Sequence, residues 1–442
     1  MHRRRLLALS GTLLAGALAG CSAPQPRSVD DPQGPAVDPD VDSETLQTLV
    51  ADANAFSTAL YHETAGAAGT ENALVSPLSV TTTLAMAYAG ARGETRSEMQ
   101  AALRYTLEDR LHPAFNALTR ELNARGEDID PEELSESYDP DDEPVPFELS
   151  LVNAAWGQSE FPFEGAYLDL LADHYGGALR DVDYRSDPAG ARETINDWVA
   201  DQTGDRIEEL LPAGALDTLT RLVLTNAVYF NANWHEPFDP DQTERAPFDP
   251  LSGPPTDVPM MRQHATVPYA EVDGTQAVEL PYLGGAVSML LFLPPPGAFE
   301  AVEAGFDTET VSEVVTALEP LEGTIAMPTF EFDSKHRLKA ALLTLGMEQA
   351  FDPGRADFTG MADIEGSGEN LYVSEVFHDT AITVDETGTE AAAATGAVIG
   401  FTSAPVETFE FVAERPFLFA IRDRPTGAIL FLGRVVDAGA AQ

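Results

Sequence analysis

Apolar residues recur at helical spacing from Leu46 to His62. They do so again in "SPLSVTTTLAMAYAG", where Ser76-Pro77 opens the run and Gly90 closes it, and both stretches predict helices. "AFNALTRELNARG", "GAYLDLLADHYGG", "ARETINDWVADQTGD" and the stretch from His336 to Leu345 keep that period. It shortens to two in "FELSLVNAAWGQ", which predicts a strand, while "TRLVLTNAVYFNANW" predicts a long buried one. Apolar stretches follow in "AVELPYLGGAVSMLLFLPPPG" and "TIAMPTFEFDS". Strands are predicted in "ENLYVSEVFHDTAITVDE", "TFEFVAERPFLFAIRD" and "AILFLGRVVD". Helices crowd the first half, no unit repeats at a fixed period and no second linker intervenes, which is the pattern of one large α+β domain.

Two segments fall outside this rhythm. Residues 22–43 are rich in Pro and Asp with almost nothing to bury, as expected of a disordered tether. Residues 126–146 are acidic and carry Pro131, Pro140, Pro144 and Pro146, which predicts an exposed insertion loop. Ahead of the tether stand Arg3, Arg4 and Arg5, an apolar run from Leu6 to Ala19, and Gly20-Cys21. The run is too short to span a bilayer, and its flanks predict an export signal of twin-arginine type ending in a lipobox, with Cys21 the lipid-bearing residue. Cys21 is the only cysteine in the 442 residues, so no disulfide can form within the chain and an anchoring role for that residue gains weight.

Charge changes the picture more than composition does. The chain has 25 Lys plus Arg against 73 Asp plus Glu, a formal net charge of −48, and Lys335 and Lys339 are its only lysines. Such a surface repels phosphate backbones, which disfavours nucleic acid and other polyanions as partners. The acidic residues are spread along the chain and the apolar fraction is ordinary, so the excess reads as a salt-adapted, halophilic surface and not as disorder.

Enzyme chemistry finds no foothold. There is no Gly-x-Ser-x-Gly elbow, no Walker loop, no Gly-x-Gly-x-x-Gly and no His-Glu-x-x-His; His62-Glu63 and His235-Glu236 lack the second histidine a zinc helix needs. The eight histidines are scattered, so neither metal nor cofactor is expected. One stretch stays unexplained: "VDETGTEAAAATGAVIGFTSAP", residues 384–405, starts like a strand and runs through four alanines into small polar residues. Alone it would read as a surface helix.

It does not stand alone. "VSPLSV", "LVNAAWGQ", "INDWVADQTGDRIEELLP", "LTNAVYFNANWHEPFD", "MPTFEFDS", "LYVSEVFHDTAITVDETGTEAAAATG", "RPFLFAIRD" and "LFLGRV" follow one another in the order found in serpins, and the chain resembles that family from about Glu44 to Val436. The resemblance implies the serpin fold over residues 44–438, three β-sheets with about nine helices around them and an exposed reactive loop over 386–405. It also implies a mechanism. A serine protease cuts the loop, the segment from Gly388 inserts into the central sheet as a new strand, and the acylated protease is carried along and distorted. The protein is then a suicide substrate and not an enzyme.

On this reading Glu386 is the loop's base and Gly388 its hinge, Thr389 is a β-branched residue suited to a sheet, Glu390 points to solvent, and Ala391, Ala392, Ala393 and Ala394 have little to clash. Family counting places the scissile bond at Thr402-Ser403, with Phe401-Thr402 the runner-up. Ser76, Ser79, Asn226 and His378 match the polar cluster beneath the sheet where strands part, and Trp234 matches the top of the sheet where insertion begins. The expected partner is a secreted serine protease, subtilisin- or chymotrypsin-like, met by a monomer held at the cell surface through Cys21 or secreted. The acidic "LHPAFNALTRELNARGEDIDPEE" argues against heparin-like activation. The alternative is a non-inhibitory surface lipoprotein of the same fold, acting as a binding or structural module; the small-residue hinge favours inhibition.

The charge reading generates a test. Salt shortens the screening length to about 3 Å at 1 M and relieves the self-repulsion of the acidic surface. The unfolding midpoint is therefore expected to rise between low and multimolar salt, and a midpoint that stays put would remove the salt-adapted reading.

Overall fold

The structure, a computed structural model, describes residues 35–126, 148–176, 179–364, 370–389 and 408–442. Helix α1 (Ser43–Ala68) begins where the Asp42 carboxylate accepts a bond from the Thr45 N–H at 2.7 Å, a side-chain cap on one of the helix's orphan donors. Strand β1 (Ala73–Val75) leads into α2 (Pro77–Gly90), whose first-turn proline sits where a missing N–H costs nothing. Then come α3 (Gly93–Ala102), α4 (Leu111–Asn123), β2 (Glu148–Gln158), α5 (Gly165–Tyr175), β3 (Arg180–Val182), α6 (Pro188–Gln202) and β4 (Leu222–Asn233). The second half is strand-rich: β5 (Glu244–Phe248), β6 (Thr256–Val272), β7 (Thr275–Pro281), β8 (Val287–Leu293), α7 (Phe299–Ala304), α8 (Thr308–Ala317), β9 (Glu319–Pro328), β10 (Phe330–Arg337) and α9 (Lys339–Thr344). It closes with β11 (Phe377–Val384), β12 (Gly388–Thr389), β13 (Thr408–Val412), β14 (Phe417–Asp423) and β15 (Ile429–Val435), giving nine α-helices among the described residues.

The strands pair into two networks. One runs β10-β11-β12-β4-β2-β3; the other runs β1-β15-β14-β8-β7-β6-β9-β13, with β5 on β6. The expected second and third sheets are continuous in the latter because β6 is long enough to serve both, pairing with β5 and β9 along most of its length and with β7 at its end. The β6–β7 turn is Asp273-Gly274, both at positive φ, the pair of left-handed residues that a two-residue hairpin requires.

Alternation along β4 decides where the core lies. Leu224, Val228, Phe230 and Ala232 point into the main core with α1, α2 and the nine-stranded network, while Val223 and Ala227 face a smaller cluster under α6 with Trp156, Tyr184, Ile195, Val199 and Phe377. The six-stranded sheet is thus covered on both faces, and this is why "TRLVLTNAVYFNANW" is apolar at consecutive positions.

Several expectations are refined. The helix predicted from His336 begins at Lys339 instead, because β10 continues to Arg337, paired with Phe377, and the His336 ring bonds the Leu74 carbonyl at 2.8 Å. The strand predicted from Glu369 onward is a strand only from Phe377. In residues 370–376 the alternation lapses: Leu371, Val373 and Val376 are buried, and Val373 N–H goes to the Ala350 carbonyl and not to a strand. Residues 35–42, in the stretch assigned to a tether, lie against the body. Ala36 and Val37 N–H groups bond the carbonyls of Ala172 and Asp173 in the last turn of α5, and Arg120 and Asn116 bond the Val37 carbonyl. Helix carbonyls without an intrahelical donor thereby find partners.

Candidate functional site

Strands β4 and β11 are the two between which a new strand would have to fit. They pair with each other directly, in parallel, over four positions only: Thr225, Asn226, Ala227 and Val228 opposite Phe377, His378, Asp379 and Thr380. Below this patch residues 370–376 form no strand. Above it the two diverge, and β12 lies between them, with Thr389 opposite Ala232 on one side and Val384 on the other. The sheet is already parted at its upper end and closed by a short zip.

Side chains on the core face reinforce that zip. His378 is fully buried; its Nε2 accepts the Ser76 backbone N–H at 3.0 Å, so the neutral ring carries its proton on Nδ1, which donates to Asn226 Oδ1. The Asn226 amide donates to Ser79 Oγ at 2.5 Å, Thr83 Oγ1 at 2.9 Å and Asn153 Oδ1 at 2.8 Å, while Ser76 Oγ donates to the Leu430 carbonyl at 2.8 Å. The sequence-predicted residues Ser76, Ser79, Asn226 and His378 are therefore brought into one network that spans α2, β2, β4, β11 and β15. Burial pushes the His378 imidazole well below its ordinary pKa, and the neighbouring His336, stacked at 6.1 Å, pushes in the same direction. On the other face Asp379 is nearly buried 3.9 Å from Lys335, and burial lifts its carboxyl to about 7.

The residues expected to form the hinge sit at the upper end. The Asp385 carboxylate accepts the N–H groups of Thr387 at 2.8 Å and Gly388 at 3.1 Å, and its own N–H bonds the Gly388 carbonyl, so the chain doubles back from β11 into β12. Trp234 holds this turn twice: its backbone N–H bonds the Thr387 carbonyl at 2.8 Å and its indole N–H bonds the Asp385 carbonyl at 2.9 Å. The indole is stacked on Tyr282 with centroids 4.6 Å apart, and the Tyr282 hydroxyl lies 2.9 Å from Thr389 Oγ1. Glu386 is fastened by its carbonyl to the Phe238 N–H and by its carboxylate to the Thr243 hydroxyl at 2.5 Å.

Gly388 carries an ordinary φ. It is needed for space: a Cβ there would collide with the Ala232 carbonyl oxygen and lie 2.6 Å from Asn233 Cα. Glu390, Ala391, Ala392, Ala393, Ala394, Phe401, Thr402, Ser403 and Cys21 lie outside the described residues. Among those described, no group of three or more His, Cys, Asp or Glu could hold a metal, and no helix is long and apolar enough to cross a membrane.

Sequence reasoning missed Asn153, Thr83, Tyr282, Thr243 and Asp385. Thr83 could have been found, since it lies one helical turn beyond Ser79 on α2 and faces the same way. Tyr282 could not: it reaches Thr389 through an isolated bridge to Trp234 that no local pattern announces.

The site thus consists of a short zip between β4 and β11, a buried polar network beneath it and the closely fitted Gly388 above it. The chain belongs to the serpin family: the family model described as "Serpin (serine protease inhibitor)" matches residues 51–438. It is 38% identical over 388 residues to an uncharacterized serpin-like protein of Thermococcus kodakarensis, covering 87% of this chain and 84% of that one. To the leukocyte elastase inhibitor of Bos taurus it is 35% identical, over 86% of this chain and 95% of the relative. Among solved structures it is similar to the native state of tengpin, a thermophilic serpin, with a TM-score of 0.76 and 26% identity over 92% of this chain and 97% of that one. The fold is the serpin fold, and named inhibitors among the relatives support protease inhibition in general.

Two predictions follow from the geometry. Above pH 6.5 His378 is neutral in both folded and unfolded states and contributes no pH dependence. As pH falls below that value only the unfolded chain takes up the proton, and stability drops by up to about 1.4 kcal/mol per pH unit until the depressed folded pKa is reached. Asp379 acts in the opposite sense, because its raised pKa makes the folded state the proton acceptor between about pH 7 and 4. Comparing wild type with His378→Gln separates the two: as pH falls from 6.5 to 5 the urea midpoint of the variant is expected to rise relative to that of wild type, and parallel pH profiles would overturn the assignment.

Gly388→Ala is expected to drive β12 from the sheet. Hydrogen exchange over residues 386–389 would then quicken by about tenfold or more. Unchanged exchange would show that β4 yields to the extra methyl.

Proposed function

We propose that this protein is a suicide-substrate inhibitor of extracellular serine proteases, subtilisin- or chymotrypsin-like enzymes being the expected targets. A protease attacks the loop at Thr402-Ser403, with Phe401-Thr402 as the second candidate. The freed segment then inserts between β4 and β11 and carries the acyl-linked protease away before deacylation. The single observation that carries this reading is Thr389: fully buried, it is already paired on both sides in the gap above the four-residue zip. A strand begun in this way needs only its continuation to be freed.

The energetic logic supports the same reading. Each inserted residue pairs backbone groups with strands on both sides, so the inserted state gains ladder bonds that the closed sheet lacks. The loop's small residues keep the barrier low. The N-terminal Arg3-Arg4-Arg5, the apolar run and Cys21 support export and lipid anchoring, which would place the inhibitor where secreted proteases act; the acidic surface fits a salt-rich exterior. The partner is a protease, held as a covalent acyl complex, with no nucleic acid, polyanion or cofactor in the scheme and a monomer as the acting unit.

The test is to mix the purified protein, in high salt, with subtilisin and with chymotrypsin and run denaturing gels with mass spectrometry. A band stable in SDS at the summed mass is expected, with a released C-terminal peptide that locates the bond. Loop cleavage that leaves protease active and the cut protein no more heat-stable than the intact one would overturn the reading in favour of a non-inhibitory binding protein.

A further inference from the structure

The zip between β4 and β11 contains one group that its surroundings do not satisfy. Asp379 is opposite Ala227 in the zip, and its side chain lies on the face away from His378, the face on which Ala227 and Phe377 join the apolar cluster under α6. It is 5% exposed, and its Oδ2 is buried with no hydrogen-bond partner. Two other buried carboxylates fare differently: Asp423 is held by Arg125 at 2.8 Å, and Glu279 accepts the Ser288 hydroxyl at 2.8 Å.

Both charges that bear on Asp379 come from β10. Lys335 stands opposite it in the antiparallel register, with Nζ 3.9 Å from Oδ2 and a side chain 59% exposed, too far for a hydrogen bond and free to turn to water. Asp333, two residues back on the same strand, is exposed and repels the carboxylate. From β4 the facing residue is Ala227. On α6 and the segment after it, Arg192 pairs with Glu209, while Asp197, Arg206 and Glu208 are exposed and the inward residues Ile207, Leu210 and Leu211 are apolar. On the opposite face His378 is turned to α2. Burial lifts the Asp379 carboxyl to about 7, and Lys335 draws it only part of the way back.

Parting β4 from β11 opens this face to water. An ionised carboxylate gains much from that hydration and a neutral one little. The closed zip therefore favours the protonated group and the parted sheet the ionised one. In water the carboxyl returns to its ordinary value of about 4, so between about pH 4 and 7 parting releases a proton. Over that window parting becomes easier as pH rises, by up to about tenfold per pH unit. Above it both states are ionised and the gain stops.

We propose that Asp379 is a proton-operated latch on the β4–β11 zip: protonated it holds the sheet shut, and ionised it leaves the sheet ready to part. The latch belongs to the closed sheet and does not depend on what parts it. Joined to the inhibitory reading above, it would keep the inhibitor inert in acid and release it near neutrality.

The test is hydrogen exchange read by mass spectrometry on the full-length protein, at constant high salt from pH 5 to 8, with each rate over residues 377–380 divided by its intrinsic value at that pH. Asp379→Asn keeps the shape and stays neutral, and Lys335→Met removes only an exposed partner. Wild type is expected to exchange faster than Asp379→Asn by a ratio that widens as pH rises, reaches about tenfold or more and levels off near pH 7. Any contribution of His378 is common to both proteins and drops out of that ratio. In Lys335→Met the ratio to Asp379→Asn is expected to go on widening above pH 7, because the closed state then holds its proton to higher pH. A ratio of wild type to Asp379→Asn that stays constant with pH would overturn the latch, and so would a Lys335→Met profile that levels off where wild type does. Neither readout involves a protease: failure here leaves the inhibitory reading standing, and failure to form a covalent complex leaves the latch standing.

Discussion

The hydrogen bond between His378 and Asn226 is the point on which the architecture turns. It lies inside the only four residue pairs that join β4 to β11, and it ties the zip to α2 through Ser76 and Ser79 and to β2 through Asn153. A polar contact suits this place better than an apolar one. Apolar packing would close the sheet more firmly, but it has no direction. A donor facing an acceptor holds only while the partners are close and correctly aligned, so it fixes the register of the two strands. The neutral state of His378 is part of the device, because a charge in that interior would have no counter-ion and the Nε2 lone pair is needed for the Ser76 N–H.

The scarcity of cations sharpens the contrast between surface and interior. The sequence has 73 carboxylates against 25 Lys and Arg, and among the described residues several buried or largely buried carboxylates are matched to arginine, whereas buried Asp379 has only Lys335 nearby and its pKa is raised instead. Glu303 takes Arg434 at 2.9 Å, Asp423 takes Arg125 at 2.8 Å, and Glu279 takes Arg422 at 3.3 Å and Arg424 at 3.5 Å. Arg434 goes further, donating to the carbonyls of Ala65 and Gly69 and so fastening the end of α1 to β15. Burying a carboxylate without such a partner would cost more than any surface pair returns, which explains where the few guanidinium groups went.

Much of this was legible in the residues. Period and capping located α1, α2, α5, α6, β2 and β4, because those elements carry one face or two faces against a core and their patterns say so. The polar cluster was legible only through resemblance: Ser76, Ser79, Asn226 and His378 come from four separated segments, and no spacing along the chain brings them together. The boundary errors have local causes. His336 and Arg337 fit a helical pattern but are held in β10 by pairing with β11, and residues 370–376 have strand composition without a strand to join. Gly388 was read as a source of backbone freedom, whereas its role in the closed molecule is to let β12 pass close to β4, a contact that only the fold creates.

Under the proposed insertion, the register of Thr389 also gives a reason for the small residues of the loop. β4 and β11 pair only from Thr225 to Val228, so a strand continued down from Thr389 would meet no closed pair before the zip. The first pair to be opened would be Val228 with Thr380, which falls at Ala393, and the last would be Thr225 with Phe377, which falls at Gly396. None of Ala393, Ala394, Thr395 and Gly396 is larger than threonine, and the larger Val398, Ile399 and Phe401 follow them in the sequence. Side-chain size along the loop would then track resistance along the slot, as an inserting segment requires.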